Sequence, residues 1–249
     1  MTLAIMSALL DEQRGVLAQL SNPQRVQRAG RTFWCGQWCG HEVVLVLTKV
    51  GKVAAATTTT ALIEAFGVDR VVFTGVAGGI GAGVGVGDVV VADAFIQHDM
   101  DSSPLFARYE IPLYGCALMV CDPHLSAILL EAAHAGLAGV GSHFLHEELL
   151  NAPTVHSGLI ASGDRFVSSA NEVAQVRQGL QAAGFEALAV EMEGAAVAQV
   201  CHDYGVPFAA VRTISDRADD AAHVDFSAFV TQVASPYALA IVSQFVKLL

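Results

Sequence analysis

Arg70-Val71-Val72-Phe73-Thr74-Gly75-Val76-Ala77-Gly78-Gly79-Ile80-Gly81-Ala82-Gly83-Val84-Gly85-Val86-Gly87-Asp88-Val89-Val90-Val91-Ala92 is the stretch on which the fold turns. Its ends are apolar, β-branched runs too short for helices, and they predict strands over 70–74 and 88–94. The glycine-dense segment between them, 75–87, is predicted as a loop whose backbone can approach a ligand closely because no Cβ stands in the way. A flexible turn with a bulged strand entry explains the same glycines. Outward from it, apolar runs predict strands over 3–8, 42–48, 117–120, 154–161, 187–190 and 208–213. Helical spacing predicts helices over 11–20, 51–66, 123–135, 171–182, 192–204 and 225–249, with a kink at Pro236 in the last. Strands alternating with helices imply one α/β domain over 1–249, a three-layer fold with a central mixed, largely parallel sheet flanked by helices. Neither a second domain nor an internal repeat is visible.

The glycine segment matches no phosphate-binding fingerprint. No triple in 75–87 has the Gly-x-Gly-x-x-Gly spacing, and the Gly-Lys-Ser/Thr ending of a P-loop is absent. No Gly-x-Ser-x-Gly elbow offers a hydrolase serine. The chain has 249 residues, 53% of them hydrophobic and 15% charged, which suits a large buried core and leaves apolar surface for an oligomer to cover. A net charge of −11 without a Lys/Arg cluster argues against nucleic acid and anionic membrane as partners. The apolar start runs straight into Asp11-Glu12-Gln13-Arg14 without a basic leader, so a buried first strand is expected rather than a signal peptide, and no stretch reads as a membrane span. These features predict a cytoplasmic protein.

Five cysteines, Cys35, Cys39, Cys116, Cys121 and Cys201, are an odd set in a chain too long to need disulfide staples, so reduced thiols are expected. Cys35 and Cys39 fall in a segment that reads as a hairpin, with no second ligand pair at zinc spacing. His143, His146 and His156 match no metal-binding pattern.

Chemistry is expected where carboxylates interrupt apolar runs. Burying an unpaired carboxylate costs several kcal/mol or shifts its pKa, so such groups need partners or a ligand. Glu12 follows the first strand, Glu191-Met192-Glu193 follows the strand over 187–190, and Arg212-Thr213-Ile214-Ser215-Asp216 closes the strand beginning at 208. Ser162-Gly163-Asp164-Arg165-Phe166-Val167 adds an aromatic after a glycine turn. Open α/β sheets bind ligands at the C-terminal ends of their strands, so these segments and the Gly75 region predict one pocket holding several carboxylates, an arginine and a phenylalanine. A neutral, hydroxyl-bearing aromatic ligand suits it. Structural alternatives exist for each: a salt bridge for the glutamates, a helix cap for Ser215-Asp216.

Along nearly its whole length the chain resembles the 5′-methylthioadenosine/S-adenosylhomocysteine nucleosidases of the nucleoside phosphorylase/hydrolase family. The motifs are the early Glu12, Gly51-Lys52-Val53-Ala54-Ala55-Ala56, Thr74-Gly75-x-Ala77-Gly78-Gly79, Val86-Gly87-Asp88-Val89-Val90, His98-Asp99, Ser162-Gly163-Asp164-x-Phe166, Val190-Glu191-Met192-Glu193 and Arg212-x-Ile214-Ser215-Asp216. The resemblance implies a homodimeric enzyme without metal or organic cofactor that cleaves the adenine–ribose bond with water. It implies Asp216 as the acid that protonates purine N7, steered by Ser215, and Glu12 as the base that orients and deprotonates water. Arg212 would help hold Glu12 and that water, and Glu193 would take the ribose hydroxyls. Phe166 would stack on adenine while the Val167 backbone reads its edge. Val76, Gly78, Glu191 and Met192 complete the substrate-binding set, with Leu9, Val50 and Phe226 as apolar walls for the 5′ group. In relatives the region near 99–115, here carrying Met100, Pro104, Phe106, Tyr109 and Ile111, closes over the neighbouring subunit's pocket.

The chemistry agrees with these residue types independently. Breaking an N-glycosidic bond builds positive charge on the sugar and negative charge on the base, which calls for an acid on one side and a positioned water on the other. Two departures from the family pattern stand out: Val76 occupies a position where the nucleosidases commonly have serine, and the insertion-like stretch over 99–115 differs from the commonest pattern. Phosphorylases of the family place a phosphate-clamping arginine shortly before the Thr-Gly turn, where this chain has Phe73, with Arg70 further back in the strand. Repulsion of a phosphate dianion by Glu12 and Glu193 favours hydrolysis. A phosphorylase and a catalytically silent nucleoside-binding protein are the alternatives.

Overall fold

The computed structural model describes residues 1–13, 15–139, 152–217 and 226–249. The run Leu3-Ala4-Ile5-Met6 is buried on both faces, as a strand inside a parallel sheet must be. It forms β1 (Thr2–Ser7), parallel to β4 (His41–Leu47) on one side and to β5 (Arg70–Gly79) on the other. Beyond β4 lie β3 (Arg31–Trp38) and β2 (Ser21–Arg28), both antiparallel. Their two turns, Ala29-Gly30 and Cys39-Gly40, have positive φ at both residues, the conformation that a two-residue hairpin loop requires. Cys35 lies within β3 and Cys39 in the second turn, and all five cysteines are free.

On its other side β5 opens a closed ring. It pairs parallel to β10 (Phe208–Asp216), which is antiparallel to β6 (Val89–Gln97). β6 runs parallel to β8 (Val155–Ser162), β8 parallel to β9 (Ala187–Glu191), and β9 returns to β5 at Gly78 and Gly79. The short β7 (Leu118–Val120) pairs with β6. The sheet is therefore mixed and partly barrel-like rather than a plain open layer.

Two apolar clusters sit on opposite faces of the central strands. Ala4, Met6, Val71 and Phe73 pack with Ala55 and Leu62 of α1 (Lys52–Phe66) and with Ala195, Ala198 and Cys201 of α4 (Gly194–Tyr204). Leu3, Ile5 and Val72 pack with Leu125 and Leu129 of α2 (Pro123–Gly139) and with the C-terminal helices. α3 (Ala170–Ala182) starts at Ser169, whose hydroxyl accepts the Glu172 N–H as an N-cap.

Several elements differ from the sequence expectation. The glycine run is not a loop from residue 75 onward, because β5 continues through Gly79. Two of these glycines leave room for side chains packed closely on the strand: a Cβ on Gly75 would stand 3.0 Å from Glu12 Oε1, and one on Gly79 would stand 2.9 Å from Ile214 Cγ2. The helix expected over 11–20 is instead two 3₁₀ turns, Asp11–Gln13 and Leu17–Gln19, with Gly15 at φ 85 between them. The last helix is not uniform. α5 (Phe226–Phe229) passes through a π turn, Val230–Ala234, into α6 (Ser235–Leu248). Pro236 has no N–H to donate and its ring crowds the carbonyl four residues back, which accounts for the widened turn just before it. This 226–248 stretch is long and apolar enough by composition to cross a membrane, yet Val230, Val233, Tyr237, Ile241, Val242 and Phe245 are buried against the protein's own core.

His156 Nε2 lies 2.9 Å from Asp88 Oδ2. His143 and His146 fall outside the described residues. Among the described residues no group of three or more His, Cys, Asp or Glu side chains is placed to hold a metal ion.

Candidate active site

The C-terminal ends of β1, β4, β5, β8, β9 and β10 surround a cavity of about 220 Å³. Its wall contains Leu9, Glu12, Val50, Val76, Gly78, Phe166, Val167, Glu191, Met192, Glu193, Ser215, Asp216 and Phe226. Of the residues expected from sequence, all but Arg212 line this space. Ala8, Ala77, Arg165 and Val190 line it as well, and motif reading had assigned them no part.

Glu12 is held almost entirely by backbone. The N–H groups of Ala8 and Leu9 donate to its Oε2, each at 2.8 Å, and the Val76 N–H donates to Oε1 at 3.2 Å. The irregular chain after β1 therefore wraps around this carboxylate, which is why residues 11–13 tighten into a 3₁₀ turn. Burial raises its pKa, and the three N–H groups with the nearby Arg212 charge only partly oppose that rise. Valine at position 76 thus costs Glu12 nothing directly, since the contact comes from the main chain.

At the junction of β9 and α4, Glu191 caps the helix. Its carboxylate accepts from the N–H of Glu193 at 3.2 Å and of Gly194 at 2.8 Å, and from the Ser162 hydroxyl. Ser162 Oγ in turn accepts the Ala195 N–H at 2.8 Å. Arg212 completes the group, with Nη2 2.7 Å from Glu191 Oε2. The guanidinium is buried, stacked over Phe73 at 4.0 Å, and its Nη1 donates to the carbonyls of Phe73 and Val211. The expectation that Arg212 helps hold Glu12 is therefore corrected: its hydrogen bonds go to Glu191 and to two carbonyls, and it reaches Glu12 only through its field.

Glu193 faces the cavity, and its carboxylate accepts the Gly51 N–H at Oε1, at 2.7 Å. Burial first, then the neighbouring Glu191 charge, push its pKa up to about 8. Asp216 ends β10. The strand register slips between Ile214 and Asp216, so Ser215 is an extra residue that re-aims the carboxylate. The Ser215 hydroxyl donates to Asp216 Oδ2 at 2.7 Å. Phe166 stands half-exposed, with Phe226 edge-on at 6.5 Å. The Arg165 guanidinium on the wall pairs with Glu172.

Ser162 and Gly51, to which sequence assigns no role, support these groups, through the Ser162 hydroxyl on Glu191 and the Gly51 N–H on Glu193. Their signal was the motifs Ser162-Gly163-Asp164 and Gly51-Lys52, whose small and charged residues stand at the ends of apolar elements.

The sequence pattern of the phosphorylase superfamily matches residues 2–247. A 5′-methylthioadenosine/S-adenosylhomocysteine nucleosidase of Chromohalobacter salexigens is 37% identical over 238 residues, covering 95% of this chain and 93% of that protein. The crystal structure of the nucleosidase of that name from Neisseria meningitidis, in complex with methylthio-immucillin-A, superposes with a TM-score of 0.86 at 34% identity, covering 100% of this chain and 99% of that one. A futalosine hydrolase of Helicobacter pylori superposes at 0.83 with 31% identity over 99% and 97% of the two chains. The chain belongs to the phosphorylase superfamily, among its 5′-methylthioadenosine/S-adenosylhomocysteine nucleosidases.

Proposed function

We propose that this protein hydrolyses the N-glycosidic bond of 5′-methylthioadenosine and S-adenosylhomocysteine, releasing adenine and the 5′-substituted ribose. 5′-Deoxyadenosine, which shares the reacting atoms, is a further candidate substrate. The observation that carries this reading is the convergence of Glu12, Glu193 and Asp216 on one cavity also lined by Phe166 and apolar side chains. As the bond to C1′ breaks, Asp216 gives its proton to purine N7, so the base leaves as neutral adenine. Water adds to the opposite face of C1′ and passes a proton to Glu12, whose three backbone donors fix the direction of its oxygens. Glu193 accepts from the ribose hydroxyls and places negative charge beside the developing cation. Phe166 stacks on adenine, the Val167 main chain reads its edge, and Leu9, Val50, Met192 and Phe226 enclose the 5′ substituent. Arg212 acts through Glu191, which fixes the start of α4 and hence Glu193.

Water rather than phosphate is the nucleophile in this reading. Among the described residues, the arginine on the cavity wall is Arg165, and it is paired with Glu172. Arg212 is buried against Glu191, and Arg70, at the opposite end of β5, pairs with Asp69. A phosphate dianion would meet Glu12 and Glu193, while each of these three guanidiniums already has a carboxylate partner.

The wider reading is a cytoplasmic homodimer in methionine salvage, one domain over 1–249, with helices on both sheet faces in three layers. Leu105 and Leu113 on the 99–115 segment are 84% and 91% exposed, apolar surface that a second subunit would cover, whereas Tyr109 and Ile111 belong to this subunit's own core. Asp216→Asn tests the mechanism. The amide cannot supply the proton, so adenine release should fall by about 10²- to 10⁴-fold while affinity for a nonhydrolysable analogue is retained. Near-normal turnover contradicts the role of Asp216. Saturable binding with no turnover by the unaltered protein points instead to a silent nucleoside-binding module.

A further inference from the structure

Beside the cavity, the start of α1 and the turn after β8 are joined by charged side chains that play no part in the mechanism above. Lys52 is the first residue of α1. Its main-chain N–H donates to Asp164 Oδ1 at 2.7 Å, and its ammonium donates to Asp99 Oδ1 at 2.6 Å and Gln97 Oε1 at 3.0 Å. Asp99 Oδ2 accepts the Asp164 N–H at 2.9 Å, which closes a loop of contacts among three elements distant in sequence. Gln97 continues to Gln199 on α4 at 3.0 Å. The Lys52 side chain is 16% exposed and that of Asp99 32%, so the pair is shielded more than a surface ion pair. Although burial would raise the Asp99 pKa, the Lys52 and Asp164 contacts outweigh it and hold the carboxyl below its usual range.

Each end of this network abuts a ligand-facing group. Immediately before Lys52, the Gly51 N–H is the donor to Glu193. Gly51 has φ 95, and a Cβ there would stand 3.1 Å from Asp164 Oδ1, so the backbone at this point fits one arrangement of the turn. Two residues beyond Asp164 comes Phe166. The turn is seated from below by His98, against whose ring a Cβ on Gly163 would collide at 2.3 Å.

We propose that Lys52 is a positioning residue that ties the Glu193 anchor to the Phe166 turn, so that the sugar and base of one nucleoside are gripped at a fixed separation. The inference rests on the nucleosidase reading for its ligand, but the tie between Lys52 and Glu193 can be observed without turnover.

The test uses the full chain with Lys52→Met and, separately, the near-isosteric Asp99→Asn. Two quantities are read: the titration of Glu193 in the ligand-free protein, followed by ¹³C-carboxyl NMR, and kcat/KM for 5′-methylthioadenosine. Titration near 8 is expected in the unaltered protein. In both variants it should move upward as the Gly51 N–H loosens, and kcat/KM should fall by about 10- to 100-fold. Asp99→Asn supplies both readings if Lys52→Met does not fold. An unmoved Glu193 titration overturns the proposal even if activity falls, as does kcat/KM within about twofold of normal. A shifted titration in a protein that never releases adenine leaves the tie standing and removes the nucleosidase reading instead.

Discussion

The turn around Glu12 and the turn around Glu191 and Glu193 both bury carboxylates at strand ends, but they hold them by different means. Glu12 is fixed by three main-chain N–H groups, while Glu191 relies on Arg212 and Ser162 as well as the first N–H groups of α4. A main-chain cradle survives changes of neighbouring side chains. A side-chain cradle does not, since removing one partner strands a buried charge. The first arrangement suits the proton exchange proposed for Glu12, the second a scaffold that must not move.

The largest contrast is expected between Glu12→Gln and Arg212→Met. Glu12→Gln should lower adenine release by about 10²- to 10⁴-fold, because an amide cannot take the proton from water. Its stability should fall by only about 1 kcal/mol, the cost of one N–H left facing an amide NH₂. Arg212→Met should instead lose about 3–5 kcal/mol in denaturant unfolding, because Glu191 keeps its burial and loses its counter-ion. Equal stability losses in the two variants would erase the distinction between the cradles.

A smaller effect concerns pH. Glu193 is raised to about 8, so its carboxylate form, the one proposed to accept ribose hydroxyls, grows in as pH rises through that value. The rising limb of kcat/KM should therefore extend to about pH 8 and should disappear in Glu193→Gln. For stability the sign is opposite: a raised acid contributes most below its unfolded value of 4.5, and that contribution is lost as pH climbs toward 8. A free protein that gains stability over this interval would show that Glu193 is not governed by burial.

The smallest effect is expected at residue 76. Because the Val76 contact to Glu12 is made by the main chain, Val76→Ser should change kcat by less than about threefold, or about 0.7 kcal/mol. A larger gain would mean that the nucleophilic water lacks a partner in this protein.

Most strands were legible because a buried strand announces itself by unbroken Val, Ile and Leu. β2 was not, since Ser21–Arg28 is exposed throughout and shows no alternation. The glycines after Thr74 looked like a loop because glycine usually marks one; here they clear space for Glu12 and Ile214, a requirement set by chain segments far away in sequence. The positions of Glu12, Glu193 and Asp216 could be anticipated from carboxylates at the ends of apolar runs. The partner of Arg212 could not, because Glu191 and Glu12 stand equally well for a counter-ion until β9 and β10 are placed in space. Lys52 was hidden for the same reason: its partners, at positions 97, 99 and 164, meet it only after folding.

The most direct measurement is the rate of adenine release from 5′-methylthioadenosine in buffer freed of phosphate, repeated as phosphate is added. Carboxylates gathered around the cavity, with Arg165, the arginine on its wall among the described residues, paired with Glu172, predict full turnover without phosphate and no acceleration on its addition. Release that begins only when phosphate is supplied, with ribose 1-phosphate chemistry in place of free sugar, would contradict the account.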